Sequence, residues 1–139
     1  MHGPRIQPQL SVRRGRAAVE WYQAALGAVE RYRVGGVDGH DAIVSQLQIG
    51  DAWFWVADES PAHANHSPES LGGGTVRLLL IADDPDAAIA KAVAAGATEV
   101  YPAGDAHGWR LGRILDPFGH HWEIGRPLGE WPPGRPPPG

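Results

Sequence analysis

The chain has 139 residues, 42% of them hydrophobic, a formal net charge of −4 and no cysteine. This length suits one compact domain, and the mild acidity argues against nucleic acid or an anionic membrane as a partner. The lack of cysteine excludes disulfides, thiolate metal sites and cysteine nucleophiles. No segment has the apolar length of a membrane span, and residues 1–9 lack the apolar run of a signal peptide, so we expect a cytoplasmic protein.

The first half of the chain predicts one strand, one helix and three further strands. Residues 6–12 are expected to be extended. Apolar residues then recur at helical spacing: Ala18, Trp21, Tyr22, Ala25 and Leu26. They predict a helix at about 15–27 that ends at Gly27, because glycine adopts a left-handed backbone at little cost. Extended strands are predicted at about 28–34, 41–49 and 52–57.

The second half predicts the same series again, after a linker. Residues 59–74 are rich in Ser, Pro, His and Gly and are interpreted as that linker. A strand at about 75–82 precedes a helix at about 84–96, with Asp84 as its expected N-cap and Pro85 as its first residue. Strands are then predicted at about 97–102, 109–115 and 121–125. Six prolines follow Gly125, and they predict a disordered or polyproline II tail at residues 127–139.

The two halves also share landmarks at a constant spacing. The segment 27–32 matches the segment 96–101, an offset of 69 residues. Further pairs at this offset are Gly39 with Gly108, Gly50 with Gly119, and Trp53 with Trp122. We therefore predict two copies of one structural unit, at about 4–58 and 75–126, within a single domain over residues 1–126.

Three local motifs accompany the repeat. They are AVEWYQAALG at 18–27, QIGD at 48–51 and GRILDPFGH at 112–120. Together with the doubled unit, they resemble the vicinal-oxygen-chelate superfamily, which includes glyoxalase I, bleomycin resistance proteins and extradiol dioxygenases. Within it they are similar to the branch named after a protein of the phosphonate operon. The resemblance implies an α+β fold in which two βαβββ modules form an eight-stranded, cup-shaped mixed sheet with flanking helices, and it implies a homodimer.

Alternation along the strands assigns side chains to the cup or to the helices. On the strand at 41–49, Val44, Gln46 and Gln48 are predicted to face the cup. The repeat pairs Phe54 with Glu123, and a charged glutamate suits the open face. Phe54 is therefore predicted to face the cup as well. Three other aromatic residues are predicted to pack beneath the helices: Trp53, Trp55 and Trp122.

Metal-using members of the superfamily have ligands on four strands. The resemblance implies that the corresponding positions here are Gln7, Phe54, Arg77 and Glu123. Glutamine and glutamate supply oxygen ligands. Arg77 is always cationic and cannot coordinate a metal ion. The two remaining donors are fewer than stable divalent sites generally use. We therefore favour a protein without metal or other cofactor, and we keep a divalent metal as the less favoured alternative.

The charged residues of the cup leave two interpretations open. Arg113 shares the parity of Glu123, so Arg77 or Arg113 could hold that carboxylate as a structural ion pair. Alternatively, one arginine binds an anionic or carbonyl group of a ligand. Among the histidines, His121 has cup parity and is the acid–base candidate. His120 is expected to be exposed in its turn. His63 and His66 are expected to lie on the surface of the flexible linker.

Three functions therefore remain open. The first is a small-molecule binder that sequesters an antibiotic or natural product without metal. The second is a metal-dependent lyase, isomerase or dioxygenase, and the third is a metal-free enzyme that uses Glu123 or His121. For the first we expect a hydrophobic or aromatic ligand in the cup, with Trp109 near the mouth available to stack on a ring. The predicted ligand-binding residues are Gln7, Val44, Gln46, Phe54, Arg77, Leu79, Trp109, Arg113 and Glu123.

Overall fold

A computed structural model describes residues 3–37 and 42–134 of the chain. The first module contains β1 (Gln9–Val12), α1 (Gly15–Leu26), β2 (Val29–Gly35), β3 (Ile43–Ile49) and β4 (Ala52–Asp58). The second contains β5 (Arg77–Ile81), α3 (Pro85–Ala94), β6 (Thr98–Ala106), β7 (Trp109–Leu115) and β8 (His121–Pro127). A short helix, α2 (Pro68–Leu71), lies between them. Gly39, one landmark of the repeat, is outside the described residues.

The strands form two four-stranded mixed sheets, one in each module. The strand orders are β1-β4-β3-β2 and β5-β8-β7-β6. In each sheet the first pair is parallel and the other pairs are antiparallel. The identical order and direction confirm the predicted α+β fold of two βαβββ modules with eight strands.

Both long helices lie where their sequence signals placed them. Helix α1 ends at Gly27, whose left-handed φ of 70° is expected of a glycine helix end. The N–H of the next residue, Ala28, then donates to the carbonyl of Tyr22. At the start of α3, the Asp84 carboxylate accepts from the N–H of Ala87, as an N-cap should. In residues 3–37 and 42–134, no helix has the length and apolar character needed to cross a membrane.

The segment between the modules has more structure than a linker was expected to have. It contains a 3₁₀ turn at Pro61–His63 and the helix α2. The carboxylate of Glu59 accepts from the Ser67 N–H and the Ser70 hydroxyl. These hydrogen bonds hold the pKa of Glu59 below its ordinary value. His63 bonds to Ser60, and both His63 and His66 are exposed, as predicted for surface residues.

The C-terminal segment also departs from expectation. Strand β8 runs as far as Pro127, and the N–H of Leu128 then bonds to the carbonyl of Gly108. Trp131 packs against Trp109, so the chain stays in contact with the second module beyond the start predicted for its tail. Composition alone concealed this contact, because the prolines around it are typical of solvated segments. Residues 135–139 of the predicted tail lie outside the described residues.

The modules meet at the buried side chain of Asp116, in the turn between β7 and β8. Its Oδ1 accepts from the backbone N–H groups of Phe118 and His120. Its Oδ2 accepts from the Tyr22 hydroxyl of α1 and from the Trp122 indole. One carboxylate therefore satisfies four donors and ties the first module's helix to the second module's sheet.

Tyr22 makes the stability of this junction sensitive to alkaline pH. Burial raises the pKa of its hydroxyl well above the ordinary value, and the nearby Asp116 adds to the rise. Unfolded tyrosine ionises near about pH 10. Above that pH the unfolded state loses a proton that the folded state keeps, so ionisation favours unfolding. This contribution is thus fully present below about pH 10 and is lost as pH rises beyond it.

We expect the free energy of unfolding to fall as pH rises above about 10, and to fall less in Tyr22→Phe, which has no hydroxyl to ionise. Urea unfolding followed by circular dichroism at several pH values measures this. An equal alkaline loss in the parent and in Tyr22→Phe would contradict the assignment.

Candidate functional site

Each sheet has one face against the helices and one open face. On β3, Ile43, Ser45 and Leu47 are buried on the helix side. Val44 and Gln46 point the other way and are accessible. This confirms the predicted orientation of β3, and it defines the open face of the first sheet.

Strand β4 has the opposite orientation to the one predicted. Phe54 pairs with buried Leu47 and is only 5% exposed. Its ring contacts Tyr22 and Trp122 edge-on, with centroids 5.8 and 5.7 Å apart. Phe54 therefore lies beneath the helix and not in the cup. Trp122 is buried as predicted.

Trp53 and Trp55, predicted beneath the helices, lie on the open face opposite Gln48 and Gln46. The single offset of 69 residues does not hold along every strand. The structural equivalent of Glu123 is Trp55, 68 residues earlier, not Phe54. A slip of one residue moves every side chain of a strand to the other face, which accounts for the error at all three positions.

In the first module the open face carries an uncharged polar cluster. The side-chain amide oxygen of Gln7, Oε1, accepts hydrogen bonds from Gln46 Nε2 at 3.2 Å and from Trp55 Nε1 at 2.9 Å. Gln7 lies just before β1, where the Pro8 carbonyl accepts from the Trp55 N–H. Two of the predicted ligand contacts, Gln7 and Gln46, are thus brought together.

The second module has a charged cluster at the equivalent positions. Arg77 Nε donates to Glu123 Oε1, and Arg113 Nη2 lies 3.5 Å from the same oxygen. The Arg113 guanidinium also lies over the Tyr101 ring, 5.2 Å from its centroid. Two guanidinium groups therefore share one carboxylate, and the side chain of Arg77 remains 54% exposed.

The predicted ligand contacts border two separate cavities. One, of about 410 Å³, is lined by Gln7, Phe54 and Leu79 among mainly apolar side chains. The other, of about 680 Å³, belongs to the second module. Its walls include Arg77, Leu79, Trp109, Leu111, Glu123 and Trp131. Leu79 borders both cavities, while three predicted contacts border neither of them: Val44, Gln46 and Arg113.

Three histidines, His66, His120 and His121, are among the residues that line a third cavity of about 420 Å³. His121 lies on the open face with Glu123, as its parity predicted, because Trp122 between them is buried. Its Nδ1 is buried and has no hydrogen-bond partner among the described residues. His120 was expected to be exposed but is half-buried, with Nε2 2.9 Å from the Ser11 carbonyl oxygen.

The residues at the superfamily's metal positions do not fit a divalent ion. With the orientation of β4 corrected, these positions hold Gln7, Trp55, Arg77 and Glu123. An indole supplies no ligand, and the guanidinium of Arg77 occupies the carboxylate that would bind the ion. In the described ranges, no three His, Asp or Glu side chains come together in a group able to hold a metal ion.

Sequence comparison agrees with this architecture. A model of the glyoxalase-like domain matches residues 9–125. The chain belongs to this glyoxalase-like family. An uncharacterised protein of Mycobacterium bovis is 38% identical over 131 residues, which cover 91% of this chain and 86% of the relative.

Solved structures show the same fold. An Arabidopsis thaliana protein has 29% identity and a TM-score of 0.66, covering 89% of this glyoxalase-like chain and 98% of its own. TioX from Micromonospora sp. ML1 has 25% identity and a TM-score of 0.68, covering 91% and 100%. The fosfomycin resistance protein FosX from Listeria monocytogenes, in complex with Mn(II) and sulfate, has 14% identity and a TM-score of 0.68, covering 94% and 96%. At that identity FosX shares the fold alone.

Proposed function

We propose that this protein binds a hydrophobic or aromatic small molecule on the open face of its second module and does not transform it. The observation that carries the proposal is the engagement of Glu123 by both Arg77 and Arg113. A carboxylate held in this way serves neither as a metal ligand nor as a base directed at a substrate. The arginines thus stabilise Glu123, and the exposed part of Arg77 remains available to a ligand.

The neighbouring cavity supports a binding role. Ligand pockets generally combine apolar walls with a few placed polar groups. Here Leu79, Leu111 and Trp109 supply the walls, and Arg77 and Glu123 supply the polar groups. Sequestration of an antibiotic or another natural product is the form of binding that we propose.

A metal-free enzyme is the second candidate. It is favoured by one observation, the buried Nδ1 of His121 without a hydrogen-bond partner among the described residues. The His121 ring also borders the 420 Å³ cavity, where a histidine can serve as a general base towards a bound substrate. A metal-dependent lyase, isomerase or dioxygenase has less support, because Arg77 occupies the carboxylate that such a site would use.

The proposal includes a homodimer in a cytoplasmic setting. Support for the dimer comes from apolar side chains left accessible on the second module: Leu79, Ile81 and Tyr101 are 51%, 62% and 57% exposed. Apolar surface that a subunit leaves uncovered is typical of an interface. The motif at 112–120 supports assignment to the branch named after the phosphonate-operon protein.

Titration of planar natural products, including bleomycin-like and quinone-like compounds, tests this function. Calorimetry on untagged protein should detect binding without added metal, while mass spectrometry shows the compound unchanged. Trp109→Ala should weaken binding by about 1–3 kcal/mol, the scale of one buried aromatic contact. Trp53→Ala is the matched control, because Trp53 borders the other cavity. Light scattering on the same samples reports whether the chain of 14.9 kDa is a dimer.

Two outcomes would contradict the binder. Turnover without metal that is lost in His121→Ala would establish the metal-free enzyme. Stoichiometric Ni, Zn, Mn or Fe in the purified protein, lost in Glu123→Ala, would establish a metal site despite Arg77.

A further inference from the structure

The C-terminal segment carries an aromatic side chain back to the second module's open face. Pro127 pairs with Trp109 at the end of β8, and Leu128 is bonded to Gly108 in the turn before β7. Three residues later the Trp131 ring meets the Trp109 ring edge-on, with centroids 5.3 Å apart and planes at 76°. The backbone bond and the ring contact together fix where Trp131 lies.

Trp131 is a wall of the cavity and not a part of the core. It is 50% exposed, and it lines the 680 Å³ cavity together with Trp109, Arg77 and Glu123. An exposed indole gains little stability from its position. Covering the same indole with a flat ligand buries apolar surface and adds a stacked or edge-on ring contact, and both stabilise the bound state.

The charges near these indoles select one kind of ligand. Two guanidinium groups face a single carboxylate, so the cluster carries an excess positive charge. Only Nε of Arg77 donates to Glu123, and no hydrogen bond joins its two terminal nitrogens to the described residues. An arginine has five N–H donors in a planar fork that matches a carboxylate in two parallel hydrogen bonds. Arg77 can therefore bind an anion without releasing Glu123.

We propose that Trp131 and Trp109, which meet edge-on, form a corner against which the flat ring of an aromatic acid packs, with the anionic group of that acid bound to the terminal nitrogens of Arg77. This inference rests on the proposed small-molecule binding and names its ligand class. It makes the C-terminal segment a part of the binding site and Trp131 a specificity-determining residue.

The probe for this proposal is 2-naphthoate, a two-ring carboxylate, with the uncharged 2-naphthamide as its matched comparison. Calorimetry with the full chain should show 2-naphthoate binding about tenfold more tightly than the amide, the scale of one charge-assisted hydrogen-bonded contact. Trp131→Ala should weaken 2-naphthoate about tenfold at an unchanged melting temperature, and Trp131→Phe should restore most of the affinity. Pro133→Ala, in the same segment but outside the cavity lining, should bind as the parent does.

The outcomes separate this inference from the proposed function. Unchanged affinity in Trp131→Ala, with weaker binding in Trp109→Ala, overturns the role of Trp131 and leaves the binding function intact. Equal affinity for acid and amide overturns the anion contact. A parent that binds members of the natural-product panel but neither naphthyl probe overturns the ligand class alone. A parent that binds none of these compounds removes the proposed function and this inference with it.

Discussion

Asp116→Ala should destabilise the protein by about 3–5 kcal/mol, because it removes four hydrogen bonds to a carboxylate and leaves buried donors without an acceptor. Asp116 is 3% exposed and accepts four hydrogen bonds. Its removal leaves the Tyr22 hydroxyl and the Trp122 indole without an acceptor in the interior, and each such buried donor costs about 1–3 kcal/mol. Total stability is only about 5–15 kcal/mol, so a substantial unfolded fraction is expected near the lower end of that range.

Chemical unfolding of the full chain measures this loss. Asp116→Asn should lose less, because its remaining carbonyl oxygen still accepts hydrogen bonds while its amide group opposes the other donors. Asp51→Ala, in the exposed turn between β3 and β4, is the control and should change stability by no more than about 0.5 kcal/mol. A loss below about 1 kcal/mol in Asp116→Ala would show that the junction does not depend on this carboxylate.

Phe54→Ala should cost about 3–5 kcal/mol, as truncation of a core phenylalanine generally does. Its ring fills the space between Tyr22 and Trp122, and rigid neighbours from both modules border the cavity it would leave. Phe54→Leu retains most of the volume and should cost about 1.5 kcal/mol or less. Trp53→Ala removes a larger side chain from the adjacent position and should still cost only about 1 kcal/mol, because Trp53 lies on the open face.

The order of these losses tests the orientation of β4. Urea midpoints for the three variants, measured under one condition, give that order directly. A greater loss in Trp53→Ala than in Phe54→Ala would mean that Phe54 faces the cup after all.

Strong periodic signals made the helices and most strands predictable. The stripe in α1 and the cap at Asp84 placed both long helices within about two residues of their observed ends. Strand β3 alternates polar and apolar residues from Gln46 to Ile49, so its faces followed from the sequence. Strand β6 continues through Pro102 to Ala106, beyond its predicted end at about residue 102. Its pairing contains register shifts, which an edge strand tolerates, but a proline in the sequence argues against such a continuation.

The site was harder to predict because its strands lack such signals. Residues 52–57 are all apolar, Ala-Trp-Phe-Trp-Val-Ala, so alternation carried no information about which face Phe54 occupies. The repeat offset was the remaining signal for the orientation of β4, and this offset differs among the strands. The contact of Trp131 with Trp109 could not be read from a proline-rich segment. The ion pairs of Glu123 were among the alternatives that the sequence left open, because three charged residues shared one face.

The turn at 116–120 is the most distinctive motif of the chain, yet its buried aspartate faces inward to the other module. The residues of this motif therefore join the two halves, whereas the cavity of the second module is lined by side chains from β5, β7, β8 and the C-terminal segment. A search that uses this turn as its query collects proteins of common architecture and says nothing about their ligands. Proteins of this family that take the same compound should instead be sought by comparing the side chains at positions 77, 109, 113, 123 and 131.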